Sequence, residues 1–257
     1  SMSPNLAEDL ARAARTWSSA PAVARGEAVV HDYASLAARS AALARAMRDA
    51  GLGEGDRVAI VSRNTVEYIE ALYGCWWAGL VAVPVNARLH PQELSFILGH
   101  CGARWVFVDR EWAAALVAPA AVTRVIEFGT RDYAALFAGV QLPAHTQCAD
   151  PTPAWLFFTS GPPGRPKGVV ISHGNLRAMS RCFVSDVESI APGDAIVHAA
   201  PLSHGSGLYV VPHVAQGATL LPGSAPEPGH VSHVCCLEIS ISFSAPRAAS
   251  WNVMRMS

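Results

Sequence analysis

Lysine is almost missing from this chain: Lys167 is the one lysine among 19 basic residues, and every other basic position is arginine. Charge as a whole is sparse, with 15% charged residues and a formal net charge of -1. Acids and bases are interspersed, and without a basic face the chain is not expected to bind nucleic acid. A run long enough for a membrane is lacking too. Residues 71–85 form the longest strongly apolar stretch, shorter than the roughly 20 residues a bilayer core demands, and Gly79 and Pro84 interrupt it. Residues 195–226 carry no Asp, Glu, Lys or Arg, yet His198, His204 and His213 stand there among prolines and glycines, which suits buried strands and turns rather than a span. The six cysteines, at 75, 101, 148, 182, 235 and 236, have no disulfide-framework spacing. No secretory leader opens the chain, and Ser1-Met2 reads as a remnant of tag removal, so the expectation is reduced thiols in the cytoplasm. There is no internal repeat.

What remains is an apolar chain, 51% hydrophobic, long enough for one large domain or two small ones. Residues 5–17 predict an amphipathic helix and residues 28–30 a short strand. Leu36, Leu43 and Met47 recur at helical spacing before Gly51, a C′ glycine. Residues 56–61 predict a buried strand. Asn64 and Glu67 then resemble a capping box opening a helix with Val66, Ile69, Leu72 and Trp76 on one face. Residues 81–85 predict a strand, Pro91 opens a helix carrying Leu94, Ile97 and Leu98, and residues 105–108 predict another strand. Strands alternating with helices over short links predict an α/β protein with helix-flanked, largely parallel β-sheets. Residues 138–153, rich in Pro, Ala and polar residues, predict a subdomain junction. Strands are expected at 154–158, 169–171 and 196–199, with Ser172 capping a helix and further β-like sequence running to Leu221.

The chemistry is concentrated in the segment 158–169, Phe-Thr-Ser-Gly-Pro-Pro-Gly-Arg-Pro-Lys-Gly-Val. A Walker A loop needs glycine just before its lysine and Ser or Thr just after, opening a helix. Here Pro166 precedes Lys167, Gly168 follows, and residues 169–171 are strand-prone, so a P-loop NTPase fits badly. Strand–loop–strand still suits phosphate: glycines admit close backbone approach, Thr159 and Ser160 offer hydroxyls, and Lys167 brings a mobile point charge. Read without context, a Gly-Pro turn between strands is the competing reading of the loop.

The segment resembles the Thr-Ser-Gly-Thr-Thr-Gly-x-Pro-Lys-Gly signature of the adenylate-forming superfamily, which includes acyl-CoA synthetases, luciferases and peptide-synthetase adenylation domains. Further stretches agree in order: Gly55-Asp56-Arg57-Val58-Ala59-Ile60, residues 78–86, Ser172-His173-Gly174-Asn175-Leu176, and Pro201-Leu202-Ser203-His204, which resembles the acyl-pocket motif. The resemblance implies residues 1–222 as part of an N-terminal AMP-binding domain. It implies Thr159, Ser160, Gly161, Gly164 and Lys167 as ATP phosphate ligands, His204 as an acyl-pocket residue, Mg-ATP, CoA and a carboxylic acid as substrates, and no tightly bound cofactor.

Two departures temper this expectation. Pro162 and Pro163 stand where the family usually has threonines, losing two hydroxyls and two N–H donors. The family's adenine-binding stretch, its ribose-holding aspartate, its hinge and the second lysine of its C-terminal domain are not present here. The chain therefore reads as roughly the first half of such an enzyme, inactive by itself, with residues 223–257 either the continuation of the domain or out-of-frame sequence. The competing expectation is a non-catalytic nucleotide- or partner-binding remnant. Uncovered apolar faces would favour a homodimer.

Other clusters are weaker. Ser206 cannot complete a nucleophile elbow, because His204 occupies a position that needs glycine. His173 is expected to bond local backbone, Trp76 and Trp77 to lie in the core, and Arg57 and Arg63 to be sheet-edge surface charges. His230, His233, Cys235 and Cys236 are crowded with no second knuckle, so no metal site is expected.

Overall fold

β-branched runs punctuated by glycine turns alternate with helices from end to end, and the computed structural model describes this pattern for residues 5–139, 142–159, 166–223 and 234–236. The chain opens with α1 (Ala7–Thr16), β1 (Pro21–Arg25), β2 (Ala28–Asp32) and α2 (Tyr33–Asp49). A regular alternation follows: β3 (Arg57–Val61), α3 (Val66–Trp77), β4 (Val81–Val85), α4 (Pro91–Cys101), β5 (Ala103–Val108), the short α5 (Arg110–Ala113) and β6 (Arg124–Glu127). After α6 (Arg131–Ala135) come the hairpin β7 (Pro153–Thr159) and β8 (Lys167–Ser172), then α7 (His173–Cys182), which ends in a π-turn at Phe183–Val187. β9 (Ala195–His198), α8 (Gly205–Leu208), α9 (Val210–Ala215), β10 (Thr219–Pro222) and β11 (Val234–Cys236) complete the described elements.

These strands form two sheets. One has the order β6-β5-β3-β4-β7-β8, and the other β11-β9-β10-β1-β2. Both are parallel except at one edge, where β8 runs antiparallel to β7 and β2 antiparallel to β1. The fold is the α/β architecture expected, with helices covering parallel strands that alternate their side chains between two apolar faces. In β3 the alternation is explicit: Val58 and Ile60 enter the main core with α2 and α3, whereas Ala59 and Val61 face α4 through Leu94, Ile97 and Leu98.

Trp76 is fully buried and donates from its indole N–H to the carbonyl of Ala154 at 2.9 Å, while Trp77 donates to Pro143 at 2.8 Å. Both are core residues, as expected. The stretch 142–152 is no free junction. Thr146 donates its N–H to the Trp77 carbonyl, and its own carbonyl accepts from Asn5 Nδ2 at 2.7 Å.

Three local expectations need correction. The helix after β3 is capped by Thr65, whose hydroxyl accepts from the Tyr68 N–H, and not by Asn64. The segment before Leu221 is helical over Val210–Ala215 where β-like sequence was expected. Val210, Val211 and Val214 bury on the main core, and Pro212 sits in the first turn, where a helix needs no N–H. β1 is short and alanine-rich and gave no strand signal. It is held by pairing on both sides, antiparallel to β2 and parallel to β10 through Val23 and Leu220.

Candidate functional site

In open parallel sheets the carboxyl ends of the strands are where loops converge on ligands. Here the carboxyl ends of β3 and β4 in one sheet meet those of β9 and β10 in the other. A cavity of about 570 Å³ opens there, lined by Ser62, Arg63 and Asn64 after β3, Asn86 and Arg88 after β4, and Ser203 after β9. Asn64 joins the two sides. Its Nδ2 donates to the carbonyls of His198 and Ala200 at 2.7 and 2.8 Å, and its Oδ1 accepts from the Leu202 N–H at 2.8 Å.

The cavity wall mixes both charges. Asp109 accepts from the Ser62 hydroxyl at 2.8 Å and from the Arg63 N–H at 2.7 Å, fixing the turn after β3. The Arg63 guanidinium meets Glu111 at 2.6 Å in an exposed pair, an interaction of small net energy. Asn86 accepts from the Arg88 N–H at 3.0 Å, and the exposed Arg88 guanidinium has no partner among the described residues. Arg63 is therefore a cavity residue rather than a plain surface charge. Arg57 is different again. Its guanidinium bonds the carbonyls of Cys101 at 2.7 Å and Gly102 at 3.3 Å, clamping the end of α4.

The β7–β8 hairpin leaves from the same end. β7 is parallel to β4 with Trp155 opposite Ala82, so carrying that register forward puts Thr159 level with Asn86. Thr159 pairs in turn with Lys167, whose side chain is exposed at the base of the hairpin loop. Gly168 follows, where a Cβ would press on Leu156 and Phe158 at 3.2–3.3 Å. Ser160, Gly161 and Gly164 lie outside the described residues, as does the side chain of Thr159.

His204 approaches the hairpin from the other sheet. It precedes α8 in extended backbone, its ring standing edge-on to Phe157 with centroids 6.2 Å apart. Its Nδ1 lies 3.1 Å from the Ser203 hydroxyl, and partial burial holds its pKa below the ordinary imidazole value. The fold thus gathers Lys167, His204 and the Asn64-anchored loop at one end of the two sheets.

The other histidines nearby are structural. His198 is buried with Nδ1 2.9 Å from the Ser206 hydroxyl, and burial, reinforced by His213, drives its pKa to about 3. His173 is also buried, and its Nδ1 accepts from the N–H of Leu6 at 3.1 Å. That partner is far along the chain, not the local backbone expected. Ser172 caps α7 in a capping box with Asn175.

Among the described residues no group of three or more possible metal ligands occurs. The side chains of His230, His233, Cys235 and Cys236 lie outside the described residues. Sequence reading missed Asn64, Asn86 and Arg88 as site residues. The available signal was their position just past the ends of predicted parallel strands.

A sequence profile described as AMP-binding enzyme matches residues 10–254. The chain belongs to this family. Its relatives include acid–CoA ligases. The feruloyl-CoA synthase of Amycolatopsis sp is 35% identical over 239 residues, covering 91% of this chain and 47% of that protein. The sulfoacetate–CoA ligase of Cupriavidus necator is 32% identical over 203 residues, covering 74% of this chain and 39% of that one. Among solved structures, an inhibitor-bound N-terminal domain of FACL13 from Mycobacterium tuberculosis superposes with a TM-score of 0.77 at 26% identity, covering 86% of this chain and 57% of that one. The fold of the chain is that of an acyl-CoA synthetase N-terminal domain. The chain spans about half the length of the curated relatives it matches. No helix among the described residues is long and apolar enough to cross a membrane.

Proposed function

We propose that this chain is the N-terminal part of an ATP-dependent acid–CoA ligase. In the reaction a carboxylate oxygen of the acid attacks the α-phosphorus of Mg-ATP, and the bond to pyrophosphate breaks. The thiol sulfur of CoA then attacks the acyl carbon and gives up its proton, and AMP leaves with the bridging anhydride oxygen that came from the carboxylate. The observation that carries this reading is the placement of Lys167 opposite Thr159 at the base of the β7–β8 hairpin, with His204 edge-on to Phe157, two residues earlier in the same strand.

Lys167 would neutralise the β- and γ-phosphates, with Thr159, Ser160, Gly161 and Gly164 supplying hydroxyl and backbone contacts, a positioning and electrostatic role. His204 would shape the acyl pocket. The cavity bearing Arg63 and Arg88 offers positive charge to an anionic group of either nucleotide. No tightly bound cofactor is required, and the reaction suits the cytoplasm. Residues 1–222 then form a partial adenylation domain, with residues 223–257 as its continuation. Support for that continuation is the parallel pairing of β11 with β9 and the family match running to residue 254.

By itself the chain should not turn over, since the adenine, ribose and second-lysine elements of the family have no counterpart here. A homodimer would use the free edge at β8, where Val169 and Val170 are 50% and 59% exposed. The second reading, a non-catalytic nucleotide- or partner-binding remnant, is favoured by Pro162 and Pro163 in the phosphate loop.

Calorimetric titration of Mg-ATP into the chain and into Lys167→Ala tests the first reading. Binding that disappears in the variant supports it, whereas binding indifferent to Lys167 overturns the phosphate role. Pyrophosphate exchange with a supplied C-terminal portion separates the two readings, because a remnant shows none with any carboxylic acid.

A further inference from the structure

Asn64 directs three side-chain hydrogen bonds to one loop of the opposite sheet. Both protons of Nδ2 go to carbonyls, those of His198 and Ala200, and Oδ1 takes the N–H of Leu202. An asparagine that merely caps a helix would use its oxygen on its own next turn, and here Thr65 does that work. The three bonded residues span 198–202, immediately before Ser203 and His204. Only a side-chain amide matches this pattern, because two acceptors and one donor must be met at a single point.

The loop beyond is packed with equal economy. The His204 N–H donates to the Pro201 carbonyl at 3.0 Å, and the Gly207 N–H to the His204 carbonyl at 3.1 Å. Gly207 lies so close to the Leu202 carbonyl that a Cβ would sit 2.1 Å from its oxygen. His204 therefore has little freedom to find its place independently of residues 198–202, and Asn64 sets theirs relative to β3.

We infer that Asn64 is the positioning residue of the Ser203–His204 loop. It fixes the distance between His204 and the Lys167 hairpin by tying that loop to the end of β3 in the other sheet. The functional meaning rests on the reading of His204 as a substrate-pocket residue, while the geometric claim stands on the hydrogen bonds alone.

The test needs no ligand. Ring currents from Phe157 displace the imidazole C–H resonances of His204, which the loss of one signal set in His204→Gln assigns, and Phe157→Leu gives their undisplaced position. In Asn64→Ala the His204 resonances should move toward that position, and the Leu202 amide should exchange about two- to tenfold faster, the factor expected when one ordinary hydrogen bond is lost. Exchange at Val58 in β3 should stay unchanged. Asn64→Asp keeps the acceptor for Leu202 but turns oxygen toward two carbonyls. It should displace His204 likewise, and it carries the test if the alanine variant does not fold. Wild-type His204 resonances and Leu202 exchange in a folded variant overturn the inference. So does uniform acceleration through β3 and β9, since Asn64 would then hold the sheets rather than the loop. A parent chain that fails to bind Mg-ATP sinks the ligase reading and leaves this result intact.

Discussion

The guanidinium of Arg39 lies over the ring of Phe137, 3.6 Å from its centroid, while Nε and Nη2 reach the two oxygens of Glu70 at 2.6 and 3.0 Å. Glu70 is buried in α3 and also accepts from His31 Nε2 at 2.6 Å and from the Tyr133 hydroxyl. Burial alone would raise its pKa, but the bonds from His31, Arg39 and Tyr133 outweigh it, and the carboxyl titrates below its ordinary range. This network ties β2, α2, α3 and α6 together.

Glu70→Gln removes the charge that three donors converge on and leaves Arg39 partly buried without its counter-ion. The expected loss is about 3–5 kcal/mol of folding stability, the cost typical of breaking a buried ion pair from one side. Urea denaturation measures it directly, and a loss near zero would show that the cluster is dispensable. Because the folded pKa of Glu70 is depressed, its contribution is present above pH 4.5 and vanishes as pH falls through the folded value.

Acid sensitivity should begin well above that point. His173, His198 and His213 are buried, and burial, first among the causes for each, lowers their pKa values to about 4, 3 and 4. Each binds a proton more readily unfolded than folded. Their stabilising contribution is therefore present above the ordinary value of 6.5 and lost as pH falls toward 4. Near pH 5 the three together give a slope approaching 4 kcal/mol per pH unit, roughly 1.4 for each proton taken up on unfolding. Urea midpoints at pH 7, 6 and 5 should fall steeply, and His173→Gln should flatten the slope by about one proton. Level stability across that range would contradict the burial of these rings.

Gly207→Ala places a methyl 2.1 Å from the Leu202 oxygen and 2.7 Å from Cη2 of Trp155. Neither neighbour is free to retreat, since Leu202 is held by Asn64 and Trp155 lies in β7. The expected cost is about 1–3 kcal/mol, the range for overpacking a filled core. Gly26→Ala is the control. Gly26 has φ +58 and nothing within 4 Å, so only backbone strain of roughly 1–2 kcal/mol applies there. A loss well below about 1 kcal/mol in Gly207→Ala would be inconsistent with the close approach of α8.

Replacing Pro162 and Pro163 together by threonine restores two N–H donors and two hydroxyls to the phosphate loop. A hydrogen bond to a charged group is worth roughly 1.5–3 kcal/mol. Mg-ATP binding measured by calorimetry should therefore tighten by at least about tenfold, and unchanged or weaker affinity would remove the prolines as an explanation for weak binding.

Much of this fold was legible because its signals are local. The alternation from residue 56 to 108 shows apolar period, caps and glycine turns within short windows, and the strands and helices appear where those signals lie. The Ser172 cap and the Pro91 helix start were readable for the same reason. β1 was not, because Pro21-Ala22-Val23-Ala24-Arg25 is a weak strand held by partners from distant sequence. α9 was misread because valines favour strands locally, while here their burial against the main core decides. Asn64 looked like a cap, since the residues it binds lie more than 130 positions away. Lys167 was legible as the one lysine in a glycine-rich loop and His204 through a motif resemblance; the contact of His204 with Phe157 of the hairpin is a property of the folded chain.

The hydroxyl of Thr219 reaches the carbonyl of Pro21 at 3.0 Å, a bond between residues 198 positions apart. During synthesis the β1–β2 hairpin leaves the ribosome early, yet its parallel partner β10 is made last but one among the described strands. At 5–20 residues per second the hairpin waits about 10–40 s with one edge open. Its exposed Val29 and Val30 travel with that open edge. The nascent chain is most vulnerable to mispairing in that interval, while the other sheet, built mainly from neighbours in sequence, can already have closed.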